Sequence, residues 1–548
     1  MGKYRPVKKP FSLKELNQKI EAGREKKIRE QIDKIEKKDL DDLEQMKIER
    51  DIEINYKAMQ DIFGGCSDFI MRRFSIIPEK TDCFLAYIEG MVDRKDVNED
   101  ILKPLMVDRR IALKEEEVSE DTLAETLKSA SITTNAVKDV KTLRDAVKFI
   151  VESNCVIFIN GSQNALAIDL KGWKAREVSE PNVEPGTRSP KEAFVEDVRI
   201  NTTLIRRRIK TPNLKSEKFE IGRISKTTVY VFYIKGLAQE GILNEIKERL
   251  GRIDIDIAIE SGQIEPFLED SPLSPFPQMD ITERVDGSVM HLANGKFVIL
   301  VDGTPFVIII PTVFSEFLNT SEDNYTRIYF ATYIRVLRYI AFFTALLGPS
   351  IYIAVTTFHQ EMIPTSLLIS LATSRVDVPF PAFFEALMLE ITWEVLREAG
   401  ERLPRFLGQS LNIVGALVIG QAAAQAGIVS QPMLIVVSFT GIASLTIPKF
   451  NMSRTIRMLR FPIMVFAAAL GVFGIIMCIM VLLIHMASIR SFGVPYISPV
   501  APINIDGIKT LVIKFPLWLQ TRRPSFIQKD NITKEKSGLM PKPPRQGD

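Results

Sequence analysis

The sequence is poor in the residues that usually carry catalysis, metal binding and redox chemistry. Only 3 histidines and 4 cysteines occur in 548 residues. Cys66, Cys83, Cys155 and Cys478 form no C-x-x-C pair, which points to reduced thiols rather than a disulfide framework. His291, His359 and His485 lie far apart, and no H-E-x-x-H, phosphate loop or G-x-G-x-x-G is present. No feature therefore argues for an enzyme, and no catalytic residue, metal ligand or cofactor is assigned. The N-terminus, MGKYRPVKKP, is basic but has no apolar core after it, so it does not read as a signal peptide. Pro6 stands where myristoylation needs Ser or Thr. A net charge of +3 selects no class of partner.

What the chain does have is long apolar runs near its C-terminal end. Residues 461–484 (FPIMVFAAALGVFGIIMCIMVLLI) carry no charge over more than the roughly 20 residues needed to cross ~30 Å of hydrocarbon. Residues 339–357 form a second run, interrupted only by Pro349 and Ser350. Residues 411–427 and 433–447 are two more, parted by the turn-like IVSQP. These predict an all-α, polytopic membrane domain over 326–490 that inserts by itself and leaves the soluble half in the cytosol. Its orientation is ambiguous. Lys449, Arg454, Arg457 and Arg460 precede the last run, and Lys509, Lys514, Arg522 and Arg523 follow it. A single span between two basic segments cannot leave both in the cytosol. The denser, shorter first segment carries more weight.

Ahead of this domain the composition is that of a soluble α/β protein. Residues 1–60 mix both signs of charge, with Glu25–Arg29, Glu30–Lys34 and Asp33–Lys37 at i,i+4, and read as a charged helical extension. It is either an arm for a partner or a solvated end. Two similar subdomains are then expected, at 61–175 and 218–325, joined by a connector at 176–217. CFLAYIEG and VYVFYIKG are apolar strands ending in Gly90 and Gly236. AVKFIVESNCVIFING and SVMHLANGKFVILVDG align without a gap, each reading as helix, strand and a glycine turn at Asn160-Gly161 or Asp302-Gly303. Asp302, Gly303 and Pro305 split the apolar stretch 297–310 into two short pieces, which suits buried strands better than a span. Arg206, Arg207 and Arg208 read as an anion site or as salt-bridge partners of Glu196, Asp197 or a neighbouring subunit, and give only weak support for nucleic-acid binding. DSPLSPFPQ at 270–278 is a rigid connector, and residues 491–548 read as a polar tail.

Three stretches of the membrane half bear on function. In 411–427, Ala416, Gly420 and Ala424 make a small-xxx-small row suited to close helix packing. Gln421 and Gln425 share that helix and suit either a wet pathway or packing within the chain. In VPFPAFFEALMLEITWEVLREAG (378–400), Glu385, Glu390, Glu394 and Glu398 either mark the mouth of a cation pathway or pair with Arg397, Arg402 and Arg405. Pro364, Pro379 and Pro381 would bound a broken entry to it. In 433–447, Thr440 and Ser444 share a face, with Val436 and Val437 one turn earlier. That face reads as a gated pore or as a packing surface whose hydroxyls bond their own backbone.

The motifs PKEAFVEDVRINTTLIRRRI, SPFPQ, FHQEMIP, VPFPAFFEALMLEITWEVLREAG, LVIGQAAAQAGIVS, ASLTIP and SFGVPY together resemble the A subunit of the GerA-type nutrient germinant receptors of endospore-forming bacteria. The resemblance covers about residues 150–499. It implies a soluble region of two subdomains, a membrane domain of about five helices, and residence in the spore inner membrane. It further implies a homo-oligomeric ring, a pentamer, that conducts ions when nutrient binds. A transporter-like B subunit, a lipoprotein C subunit and membrane lipid would be its partners. On this reading Val436, Val437, Thr440 and Ser444 line the pore.

Overall fold

The computed structural model describes residues 47–76, 81–106, 137–172, 181, 183, 184, 186, 188–403, 420–520, 523, 533, 534 and 540. Most of the charged extension, Ala416, Arg405 and Arg522 lie outside the described residues.

The N-terminal α/β half is built from one supersecondary plan used twice. The first unit runs α1 (Ile52–Ile62), β1 (Phe69–Ile76), β2 (Thr81–Ile88), a helical segment at 94–106, β3 (Val137–Val140), α2 (Leu143–Val151), β4 (Asn154–Ile159) and β5 (Ala165–Asp169). The second runs α3 (Val198–Arg208), β6 (Leu214–Ile221), β7 (Thr227–Ile234), α4 (Glu240–Arg252), α5 (Ser261–Leu268), β8 (Asp280–Thr282), α6 (Val285–Ala293), β9 (Phe297–Val301) and β10 (Val307–Ile310). The antiparallel sheets have orders β1-β2-β4-β5-β3 and β6-β7-β9-β10-β8, which match strand for strand. Both faces of each sheet are covered, so β4 and β9 are buried along their whole length. That is why NCVIFI and FVILV are apolar at every position but one instead of alternating.

The match extends to single hydrogen bonds. Asp51 caps α1 by accepting from the Glu53 N–H at 2.9 Å, and Asp197 caps α3 by accepting from the Arg199 N–H at 2.8 Å. One turn into each helix an asparagine reaches back to the residue six before it. Asn55 donates to the Glu49 carbonyl and Asn201 to the Val195 carbonyl, both at 2.6 Å, and each also accepts that residue's N–H. The glycine turns close the same contact: Gly161 N–H donates to the Arg50 carbonyl and Gly303 N–H to the Glu196 carbonyl, both at 2.8 Å. Gly161 and Gly303 have φ of 87° and 91°, where a side chain would be strained.

A buried ion pair joins the two units. Arg206 donates through Nε and Nη2 to both carboxylate oxygens of Asp68, each at 2.7 Å, and through Nη1 to the Leu214 carbonyl. Arg208 pairs with Glu192 and Arg207 lies 3.8 Å from it. The arginine cluster thus meets Asp68 and Glu192.

Below the second unit the chain is helical: α7 (Ile328–Thr357), α8 (Thr365–Thr373), α9 (Ala382–Arg402), a helical stretch at 420–425, α10 (Gln431–Leu445) and α11 (Phe450–Ser488). Among the described residues, α7 and α11 are the two helices long and apolar enough to cross a membrane, and α10 is a shorter apolar one.

The long run expected as one span turns back on itself. Gly471 leaves the helical conformation with φ 62° and ψ −141°. Were α11 straight, Thr455 and His485 would be about 45 Å apart at 1.5 Å per residue. Instead Thr455 donates to the Pro275 carbonyl at 2.7 Å, and His485 Nε2 lies 2.9 Å from the Ser274 hydroxyl. Both ends of the hairpin therefore sit against DSPLSPFPQ, and its Gly471 apex meets Phe358 and His359 beyond the far end of α7. The chain then returns to the second unit. Phe492 and Val494 enter its core beside β11 (Arg490–Ser491) and β12 (Val494–Pro495), and α12 (Ile505–Val512) packs on the start of α7. The two basic segments consequently lie on the same side as the sheets. The run between them turns back at Gly471 instead of running straight through the bundle.

Candidate functional site

The acidic helix α9 faces the first arm of the hairpin, and its carboxylates meet arginines there. Glu390 pairs with Arg460, Glu394 with Arg457 at 2.6 Å, and Glu401 lies 3.7 Å from Arg454. The arginines recur every three residues, so they share one stripe of their helix and run antiparallel to the glutamates. Glu390 and Arg460 are each 1% exposed. Arg460 has a further partner. Pro349 lacks the N–H that would bond to the Ala345 carbonyl four residues earlier in α7. Arg460 Nε donates to that carbonyl at 2.7 Å instead.

Glu385, also fully buried, accepts from the Ser430 N–H at 2.8 Å and pairs with Arg375 at 3.1 Å. It thus places a negative charge at the N-terminus of α10, where the helix dipole favours one. Glu398 pairs on the surface with Arg402. Of the three arginines expected to meet these acids, Arg402 meets Glu398, Arg397 meets Glu401, and Arg405 lies outside the described residues. The arginines at 457 and 460 were legible only as topology signals. Their spacing of three, set against glutamates at 390 and 394, was the signal for the ladder.

The hydroxyl face of α10 points into the chain. Val437, Thr440 and Ser444 are buried, and Val436 is half-buried. Thr440 donates to the Val436 carbonyl at 2.7 Å and Ser444 to the Gly441 carbonyl at 2.6 Å. A Cβ on Gly348 of α7 would come within 2.6 Å of Thr440 Oγ1, and one on Gly441 within 2.7 Å of the Trp393 ring. Glycines at these crossings let the three helices approach closely. Gly420 is buried against Leu434 of the same chain, with its absent Cβ 3.0 Å from a leucine methyl. Gly420→Ala should need only a small shift of that methyl. Gly420→Leu should cost about 1–3 kcal/mol by overpacking, seen as a lower unfolding midpoint in detergent. Ala424 is half-buried, while Gln421 and Gln425 are exposed on the same short helix.

The hairpin is tied to the soluble half through Lys449, just ahead of α11. Its ammonium bonds Glu184 at 2.7 Å and Asp280 at 2.9 Å. Burial alone would lower the Lys449 pKa, but Asp280 and Glu184 outweigh it and hold the group charged. His291 beside them is half-buried, and desolvation with Lys296 and Lys449 near keeps it well below its ordinary value and therefore neutral. Among the described residues no group of three or more His, Cys, Asp or Glu side chains could hold a metal ion.

Two sheet units, a charge-paired helical bundle beneath them and two long apolar helices define a protein with an α/β half and a helical half of membrane type. The GerA family model (Bacillus/Clostridium GerA spore germination protein) matches residues 57–526. Spore germination protein KA of Bacillus subtilis is 41% identical over 482 residues, covering 88% of this chain and 87% of its own. Spore germination protein A1 of the same organism is 38% identical, covering 79% and 88%. The uncharacterized membrane protein YfkQ, also of B. subtilis, is 41% identical over 90% of this chain and 94% of its own. The chain is also similar to the crystal structure of the N-terminal domain of the A subunit of the Bacillus megaterium germinant receptor GerK3, at 30% identity and a TM-score of 0.39, covering 49% of this chain and 97% of that one. The chain belongs to the GerA family of spore germination proteins.

Proposed function

We propose that this protein is an A-type subunit of a germinant receptor, an oligomer in the spore inner membrane that passes ions when a nutrient is sensed. Family membership over most of the chain supports the receptor role. The exposed pair Gln421 and Gln425 carries the ion path. Two amides at i,i+4 on one face are costly against lipid, so water or another copy of the chain must meet them. Within one copy, Glu390 and Glu394 are occupied by Arg460 and Arg457, and Thr440 and Ser444 by their own helix. The path therefore runs between copies, lined by the 421/425 face, with Val436 of α10 as the gate. In this reading residues 326–490 are polytopic, and the sheets lie in the cytosol with both basic segments. Lys449 passes their movement to the hairpin. A transporter-like B subunit supplies the nutrient site, and a lipoprotein C subunit completes the receptor.

The valines test this. Val436→Ala should leak ions without nutrient, seen as premature germination or failed sporulation. Val437→Ala, facing inward, should instead lower stability by about 1–3 kcal/mol and leave nutrient dependence intact. Tight, nutrient-dependent spores from Val436→Ala would remove the gate from α10. The chain is equally like YfkQ, whose name assigns no receptor role, and the second reading is a relative that amplifies germination without answering to nutrient. Deleting the gene separates them: the first reading expects one nutrient response to vanish, the second expects all to weaken.

A further inference from the structure

The region after the hairpin, read from the sequence as a polar tail, holds an exposed apolar face that no element among the described residues packs on. Helix α12 is capped by Asn504, whose Oδ1 accepts from the Gly507 N–H at 3.2 Å. Ile505, Ile508 and Val512 follow at i, i+3 and i+7, which aligns them on one side. That side faces outward: Ile505 is 66% exposed and Val512 39%, flanked by Ile503 at 80% and Leu519 at 59%. The opposite side is clamped to α7. Arg335 Nη1 donates to the Thr510 carbonyl at 2.9 Å, Lys514 N–H donates to the Thr332 hydroxyl at 3.1 Å, and the Lys514 ammonium bonds Asn324.

The clamp fixes the level at which α12 lies. Thr332 and Arg335 belong to the opening turns of α7, where Arg335 and Arg338 are anchored by Asp323 on the side of the sheets. The outward residues of those turns are Tyr329, Phe330 and Tyr333, all exposed. Tyrosines at the start of a long apolar helix mark the boundary between headgroups and acyl chains. Beyond them the exposed face of α7 is apolar at Val336, Leu337, Ile340 and Phe343. The stripe of α12 is continuous with this boundary and carries exposed Lys509 at its edge. A short helix with an apolar face and a lysine beside it suits a bilayer surface.

We propose that α12 (Ile505–Val512) is an interfacial membrane helix, lying in the plane of the bilayer on the side of the sheet units, with Ile505, Ile508 and Val512 buried in lipid and its back clamped to the entry turns of α7. The occupant of the exposed stripe is lipid, not a second copy of the chain or another subunit. The inference rests on the membrane reading given above.

The test uses the full chain in vesicles of phosphatidylethanolamine and phosphatidylglycerol. Cys66, Cys83 and Cys155 are buried, so Cys478→Ser leaves no accessible thiol among the native cysteines. Single cysteines are added as Ile505→Cys, Val512→Cys, Phe473→Cys on the hairpin and Glu248→Cys on α4, and each carries an environment-sensitive fluorophore. Quenching is read with a lipid bearing a shallow nitroxide and with aqueous iodide. The labels at 505 and 512 should be quenched by the nitroxide lipid and show a several-fold loss of iodide quenching relative to 248. Iodide quenching at 505 and 512, with lipid quenching kept at 473, would overturn the proposal and leave the membrane reading intact. Shielding from both quenchers would mean that protein covers the stripe, which also overturns it. If 473 behaves like 248, the membrane reading itself fails.

Discussion

Replacing Arg460 by methionine is expected to cost about 3–5 kcal/mol, because the change strands a buried charge. Glu390 would keep its carboxylate in a site where it is 1% exposed and would lose its ion-pair partner. The Ala345 carbonyl, already deprived of its helical donor by Pro349, would lose the Nε of Arg460 as well. The double variant Arg460→Met/Glu390→Leu should recover most of the loss, since an apolar pair of similar volume replaces both charges. What remains should be about 1–3 kcal/mol for the unsatisfied carbonyl. Adding Pro349→Ala, which returns an N–H to Ala345, should reduce that residue further. Unfolding midpoints of the three proteins in one detergent provide the check. A double variant as unstable as the single would show that the ion pair is not what holds α9 to the hairpin.

Gly471→Leu is expected to prevent the hairpin from closing. The backbone there, at φ 62° and ψ −141°, lies close to a region that only glycine enters readily, and forcing a side chain into it costs about 1–3 kcal/mol. A Cβ would also stand 2.8 Å from the His359 ring and 3.0 Å from Phe358 Cβ, so the end of α7 would have to move. Labelling reads the same turn in the unaltered background. Cysteines replacing Arg454 and Lys509 should both react with an impermeant reagent from the same side of sealed vesicles. Labelling of 454 and 509 from opposite faces would mean that the run crosses once, and the turn at Gly471 would have to be abandoned.

Much of the soluble half was legible because its signals are local. A glycine turn, a cap and an apolar strand each occupy a few residues, and the second copy repeats them in order. Asp51 with Asn55 and Asp197 with Asn201 were available in the sequence as the same D-x-x-x-N spacing, although that spacing acquires meaning only once the glycine turns dock on them, 108 residues away in the first copy and 104 in the second. The helical half was legible in composition and not in path. Hydropathy sums along the chain, so a run of 24 apolar residues scores as one span whether it is straight or folded in two. One glycine torsion decides which.

The sequence by itself determined that the chain has two like α/β units and an apolar helical end, because apolar periodicity and turn chemistry act between near neighbours. It also determined where the acids and arginines stand on their helices. Only the tertiary structure decided their partners. Glu390 could have met any of several cations, and it is the turn at Gly471 and the carbonyl freed by Pro349 that bring Arg460 to it. Whether Thr440 faces a pore or Gly348 was likewise outside the reach of spacing, since i,i+4 places residues on one face without saying what that face meets.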